Sequence, residues 1–365
     1  MKRDRLYFID AVRAFAILMM LQGHFIDTLL ESSYRDASHT SFQIWNYFRG
    51  ITAPTFFTIS GLIFTYLLIR AKHSGTLEKR MQKGLFRGGM LLGTGYILRI
   101  NIFDWLSGTF HDSFLIIDVL QCIGLSLITI VIIYKLTFKR PYLFSILVLV
   151  LGFTVFITEP LYRHIELPNT PLLFSNYLTK NNGSVFTLLP WFGYTAFGAF
   201  IATLFYRYIE RPRFKLVIVS AFFSAGLFLI FKSSWLLNEL YYLLDVLLLR
   251  EVAYYNYLFS RLGDVLVLFS VFYLAESYIK QPLILKIGQK TLSIYVIHFT
   301  LLYGSFIGVG LHQLIGKTLA PWQAIIGALL FLSIVCFISF YYAKTNAYIY
   351  TKIRHIIEKV KAFQS

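Results

Sequence analysis

The sequence predicts an all-α integral membrane protein with about ten transmembrane helices, and three observations carry that prediction. The first is composition. Of 365 residues, 57% are hydrophobic and only 14% are charged, whereas a water-soluble chain carries about 25% charged residues. The second is run length. Ten stretches stay apolar over roughly the 20 residues that a helix needs to cross a bilayer: about 7–30, 42–69, 84–100, 114–135, 141–159, 185–206, 214–231, 255–278, 284–307 and 321–343. The third is the alternation of charge between successive loops. With the N-terminus placed in the cytoplasm, 24 of the 34 Lys and Arg residues fall on the cytoplasmic side, six on the other side and four within spans or at their ends. That bias is the positive-inside signal, and it predicts that both termini are cytoplasmic.

Each element then has its own justification. The first apolar run, from Leu6 to Leu30, is too long for the core of a signal peptide and lacks a small-residue cleavage site, so it reads as a retained first helix. The spans form one domain over 1–345. Residues 346–365 read as a basic amphipathic tail on the inner leaflet. The piece 235–250 is apolar but carries Glu239, Asp245 and Arg250. As another span it would break the charge alternation, so it is expected as an interfacial helix on the outer face. The net charge of +16 comes from short loops at regular intervals, a pattern of topology and not of nucleic-acid binding. Cys122 and Cys336 both sit in apolar runs and read as small buried hydrophobes, so neither a disulfide nor a metal site is expected.

Ionisable groups inside spans are costly and point to function. In "RAFAILMMLQGH", Arg13 and His24 are eleven residues apart. At 100° per residue they lie within about 20° of one helix face, and about 16 Å apart along the axis. Asp10 shares that stripe and is placed to form an i,i+3 ion pair with Arg13. Arg49, Asp118, Arg261, Asp264 and His298 fall at a depth similar to that of His24. Together they suggest a polar cavity open to the outer side. Arg261 and Asp264 can instead neutralise each other, and His298 can serve as a helix-packing hydrogen bond. In the second span, Ser60 and Gly61 make a small spot that suits either close helix packing or a ligand.

These segments together resemble the multi-pass transmembrane acyltransferases, closest to the heparan-α-glucosaminide N-acetyltransferase-like branch and similar also to the family-3 membrane acyltransferases. Arg13 and His24 match the superfamily's Arg, ten residues, His pattern in the first helix. "APTFFTISGLIF" looks like its Phe-Phe-x-x-Ser-Gly segment. "DVLQCIGLSL", "LLPWFGYTAFG" and "IGQKTLSIYVIH" resemble later stretches of the branch. The resemblance implies acetyl transfer from cytoplasmic acetyl-CoA, a co-substrate and not a permanently bound cofactor, to a hydroxyl or amine of a glycan or lipid-linked sugar on the outer side. It implies His24 as general base or transient acetyl carrier, with Asp118 orienting its ring. Arg13, Arg80 and Arg87 would pair the CoA phosphates. Arg49, Ser60, Gly61 and His298 would face substrate. The compact chain points to a bacterial cytoplasmic (inner) membrane. The competing reading is a transporter or flippase for a glycolipid or small anion. Transporters often carry internal repeats, and the absence of half-to-half similarity here favours the enzyme.

Overall fold

A computed structural model describes residues 6–363, with side chains described as far as Tyr342. Each of the ten apolar runs contains a main helix: α1 (Tyr7–Leu29), α2 (Thr40–His73), α3 (Leu77–Ile97), α4 (Val119–Thr137), α5 (Pro141–Ile157), α6 (Leu188–Tyr208), α7 (Phe214–Leu244), α8 (Tyr257–Leu274), α9 (Thr291–Tyr303) and α10 (Pro321–Phe363). Two isolated bridges, Leu30 with Leu319 and Asn101 with Phe306, are the strand-like pairings among the described residues. The chain is therefore an all-helical, multi-pass membrane protein.

Seven of the helices are long and apolar enough to cross a bilayer, among the described residues: α1, α2, α4, α6, α7, α8 and α10. The other three expected spans differ from a simple rod. Helix α3 starts at Leu77, well before the expected 84, and its first turns carry Glu78, Lys79, Arg80 and Lys83. Helix α5 has 17 residues, about 26 Å at 1.5 Å per residue. The ninth expected span, 284–307, is not continuous. It is a short helix, Pro282–Gln289, then a break at Lys290, then α9 with 13 residues. At about 20 Å, α9 alone is too short for a hydrocarbon core of about 30 Å.

The expected interfacial helix at 235–250 is also corrected. Residues up to Leu244 continue α7, because nothing after Phe231 breaks the helix. Ser233 is absorbed by donating its hydroxyl back to Leu229 O. The chain turns only at Asp245, which adopts a left-handed conformation (φ 53°), and an eight-residue helix, Leu247–Tyr254, follows. The helix α10 backbone runs through the expected C-terminal tail, whose amphipathic side chains, like Lys2, Arg3 and Arg5, lie outside the described residues.

Small residues let the helices approach closely, as is usual where lipid removes the hydrophobic drive between them. One such close crossing joins α2 and α6. A Cβ on Gly61 would stand 2.0 Å from Thr195 O, and one on Gly198 would stand 1.9 Å from Thr58 O. Gly61, expected at the substrate, is thus a packing residue. Gly198→Val is expected to push the two backbones apart. Overpacking costs about 1–3 kcal/mol, so the melting temperature should fall by about 2–6 °C. An unchanged melting temperature in a detergent thermal-shift assay would contradict this packing.

Helix α2 also contains Pro54 in its interior. Proline has no N–H, so the carbonyl one turn earlier, Gly50 O, loses its helical donor. That carbonyl takes the Tyr257 hydroxyl at 3.4 Å. The replacement bond ties the middle of α2 to the start of α8, next to the site described below.

Candidate active site: two cavities on one helix

Helix α1 is the shared wall of two cavities. The larger, about 810 Å³, is lined by His24 and Asp27 from α1, Arg49 and Gly50 from α2, Asp118 before α4, Trp191 from α6, and Tyr295 and Tyr303 from α9. The smaller, about 130 Å³, is lined by Arg13, Ser60, Arg80, Arg87 and Thr291. Met20, Phe56, Val119 and Tyr295 face both. They form an apolar septum between a chamber with an imidazole and a chamber with guanidinium groups.

In the smaller cavity, Arg13 Nη2 donates to Thr291 Oγ1 at 2.7 Å, and Nη1 lies 3.8 Å from Asp10 Oδ1. The expected i,i+3 pair with Asp10 is present. The break at Lys290 is what puts Thr291 at the first turn of α9, facing Arg13. Arg80 Nε is buried without a hydrogen-bond acceptor among the described residues. Arg87 lies close enough to oppose its charge. Two like charges two turns apart on one face of α3, lining one cavity with Arg13, make a site that favours an anion.

In the larger cavity, His24 Nδ1 lies 3.2 Å from His298 Nε2. His298 is fully buried, lies against the Tyr295 ring at 4.9 Å and sits beside the carbonyls of Ile294 and Tyr295 on its own helix. Asp118 does not hold the His24 ring. Its Oδ2 accepts from Arg99 Nη2 at 2.7 Å, and at the N-cap of α4 its backbone N–H donates to Gln121 Oε1 at 3.2 Å. The carboxylate is engaged by the Arg99 guanidinium, and the ring contact falls to His298 instead. Arg49 lines the cavity, but Asp27 engages it at 2.8 Å. Asp27 also receives Arg35 at 2.5 Å. Arg261 and Asp264 neutralise each other at 2.9 Å, and Asp264 takes the Tyr47 hydroxyl at 2.6 Å, so this pair braces α2 against α8.

The structure therefore brings His24, Asp118, Arg49 and Tyr295 into one chamber, and Arg13, Arg80, Arg87 and Ser60 into the other. It removes Gly61 from both and puts His298 behind His24. Sequence reasoning missed Asp27 and Arg99, the two groups that pair with Arg49 and Asp118. Arg99 was visible as a cation at a span end, but its partner lies 19 residues away across a loop.

The sequence itself matches a known family. The model of the heparan-α-glucosaminide N-acetyltransferase catalytic family matches residues 5–247. The chain belongs to that family. No curated protein matches it. Membership makes the chain a membrane acetyltransferase, with an acyl donor and an acceptor as its partners. The family match contains Arg13, His24, Ser60, Arg80, Arg87 and Asp118 and ends before α8 and α9, so His298 and Thr291 lie beyond it. Among the described residues no cluster of His, Cys, Asp and Glu has the makings of a metal site.

Proposed function

We propose that the chain moves an acetyl group from cytoplasmic acetyl-CoA to a hydroxyl or amine of a glycan or glycolipid on the outer side of a bacterial cytoplasmic membrane. The observation that carries this reading is the pair of cavities back to back on α1, one cationic and one holding an imidazole pair. Arg80 and Arg87, with Arg13, pair the phosphates of CoA, because a planar guanidinium presents two parallel donors to a phosphate. The pantetheine arm then carries the thioester toward the septum.

His24 performs the chemistry. His298 Nε2 accepts the hydrogen on His24 Nδ1, and that fixes the tautomer in which His24 Nε2 carries a lone pair. In direct transfer, Nε2 removes the acceptor's proton as its oxygen or nitrogen attacks the thioester carbonyl. The tetrahedral intermediate collapses, the C–S bond breaks, and the CoA thiolate leaves with the proton returned from His24. In the relay version, Nε2 itself attacks the carbonyl, CoA leaves, and the acceptor then takes the acetyl group from the imidazole. His298 acts through His24 in both, as a positioning residue.

The test uses the full chain in sealed vesicles, with radiolabelled acetyl-CoA on one side and a mixture of neutral and amine-bearing oligosaccharides on the other. Labelled glycan is expected only when acetyl-CoA is on the side of Arg80 and Arg87, with free CoA thiol released on that same side. Intact acetyl-CoA in both orientations would favour the transporter reading instead.

A further inference from the structure

The segment between α3 and α4 is not used by the chemistry above, yet it forms one wall of the His24 cavity. Asn101, Asp104, Trp105, His111, Ser113 and Phe114 all line that chamber. A five-residue helix, Ile102–Leu106, shapes the wall, and the Asn101 side chain caps it by accepting from Phe103 N. Asn101 Nδ2 donates to Asp104 Oδ2 at 2.7 Å, and His111 Nε2 lies 3.4 Å from the same oxygen. The other carboxylate oxygen, Asp104 Oδ1, is outside these contacts. Trp105 packs against Phe110 and Phe114 at 5.4 and 5.2 Å, which steadies its indole on the same cavity wall as Asp104. The segment is anchored from across the cavity: Ile102 N donates to Phe306 O, and Phe306 N donates to Ile100 O, both at 2.9 Å.

A supported indole, a carboxylate and an amide on one partly open wall make a definite chemical pattern. An indole offers an apolar face with little conformational entropy to lose. A pyranose presents C–H groups on one face and pairs of adjacent hydroxyls at its edge, which a carboxylate and an amide can receive together. The charge balance narrows the sugar further. The two arginines lining the cavity, Arg49 and Arg99, are each taken by an aspartate, Asp27 and Asp118. The third acid, Asp104, has no arginine partner in the chamber wall. With each lining guanidinium already matched by a carboxylate and Asp104 adding a further one, the wall disfavours a uronate or a sulfate, because bringing another anion beside these carboxylates is costly.

We propose that residues 101–114 form an acceptor subsite for an uncharged glycan, with Trp105 stacked on a sugar ring and Asp104 with Asn101 receiving adjacent hydroxyls. This rests on the acetyl-transfer reading only for the word acceptor; the binding chemistry stands by itself.

The test measures binding alone, with no acetyl-CoA present. The full chain in lipid nanodiscs is titrated with neutral tetrasaccharides (β-1,4-glucose, α-1,4-glucose and N-acetylglucosamine types) and with a uronate-containing tetrasaccharide, by saturation-transfer NMR and calorimetry. At least one neutral probe is expected to bind. Trp105→Ala should weaken it about tenfold or more, which corresponds to about 1.4 kcal/mol, and Trp105→Phe should restore part of the loss. Asp104→Asn, which keeps the shape, should weaken it as well. The uronate probe should bind no more tightly than the neutral ones. The subsite is overturned by an absence of neutral binding in the wild type, by unchanged affinity in Trp105→Ala, or by preference for the uronate. Neutral binding in a chain that transfers no acetyl group would sink the function and spare the subsite.

Discussion

His24→Ala is expected to reduce acetyl transfer from labelled acetyl-CoA by a factor of about 10² to 10⁴ if His24 is a general base, and to abolish it if His24 carries the acetyl group. The size of the residual rate therefore separates the two chemistries that the geometry permits. The substitution also strips His298 Nε2 of its 3.2 Å partner inside the protein. A lost partner for a buried polar atom costs about 1–3 kcal/mol, so alanine alone mixes chemistry with packing. His24→Asn removes the reactive nitrogen and keeps a side chain that can hydrogen-bond to His298. Loss of transfer in both variants, with melting temperatures near the wild type in the second, isolates the reacting group. Wild-type turnover in either would remove His24 from the mechanism.

The second large effect belongs to the other cavity. Arg13→Ala is expected to weaken CoA binding about 10- to 100-fold, measured by calorimetry on the full chain in detergent. A hydrogen bond to a charged group contributes about 1.5–3 kcal/mol, and each 1.4 kcal/mol is a factor of ten in Kd. Arg13→Lys keeps the charge and loses the two-pronged geometry, so it should fall between alanine and the wild type. Thr291→Val removes the group that receives Arg13 Nη2 at 2.7 Å without touching any cation. A smaller loss there would report orientation of the guanidinium. Unchanged CoA affinity in Arg13→Ala would detach the smaller cavity from the donor.

Much of this architecture was legible before any coordinates, for a physical reason. A bilayer imposes its thickness on every span and its charge bias on every loop, so run length and Lys/Arg placement are strong local signals. The helical period also put Arg13 and His24 on one face, and that face meets both cavities. What stayed hidden depends on which helix is next to which. Gly61 reads equally well as a ligand spot or a packing spot until Thr195 is seen against it. Asp118 looks like a triad acid until it is seen capping α4 and holding Arg99. The break at Lys290 has no proline or glycine at the break itself, and the apolar run continues straight through it. The wall at 101–114 has no periodicity to detect, because it is built from a five-residue helix and loop.

The apolar septum of Met20, Phe56, Val119 and Tyr295 bears on the energetics of the whole membrane. A continuous file of water running from the guanidinium groups to the imidazoles would let protons cross, and such a leak would drain any electrochemical gradient the bilayer maintains. Met20, Phe56 and Val119 put only apolar atoms, and Tyr295 an aromatic ring with one hydroxyl, in the path of such a file, and an unsolvated proton in hydrocarbon is prohibitively costly. A pantetheine arm has amides and a hydroxyl but no charge, so desolvating it costs far less than desolvating an ion. If the proposed transfer runs across the bilayer, a barrier of this kind passes a neutral acyl group and holds back charge, so acetylation need not discharge an energised membrane.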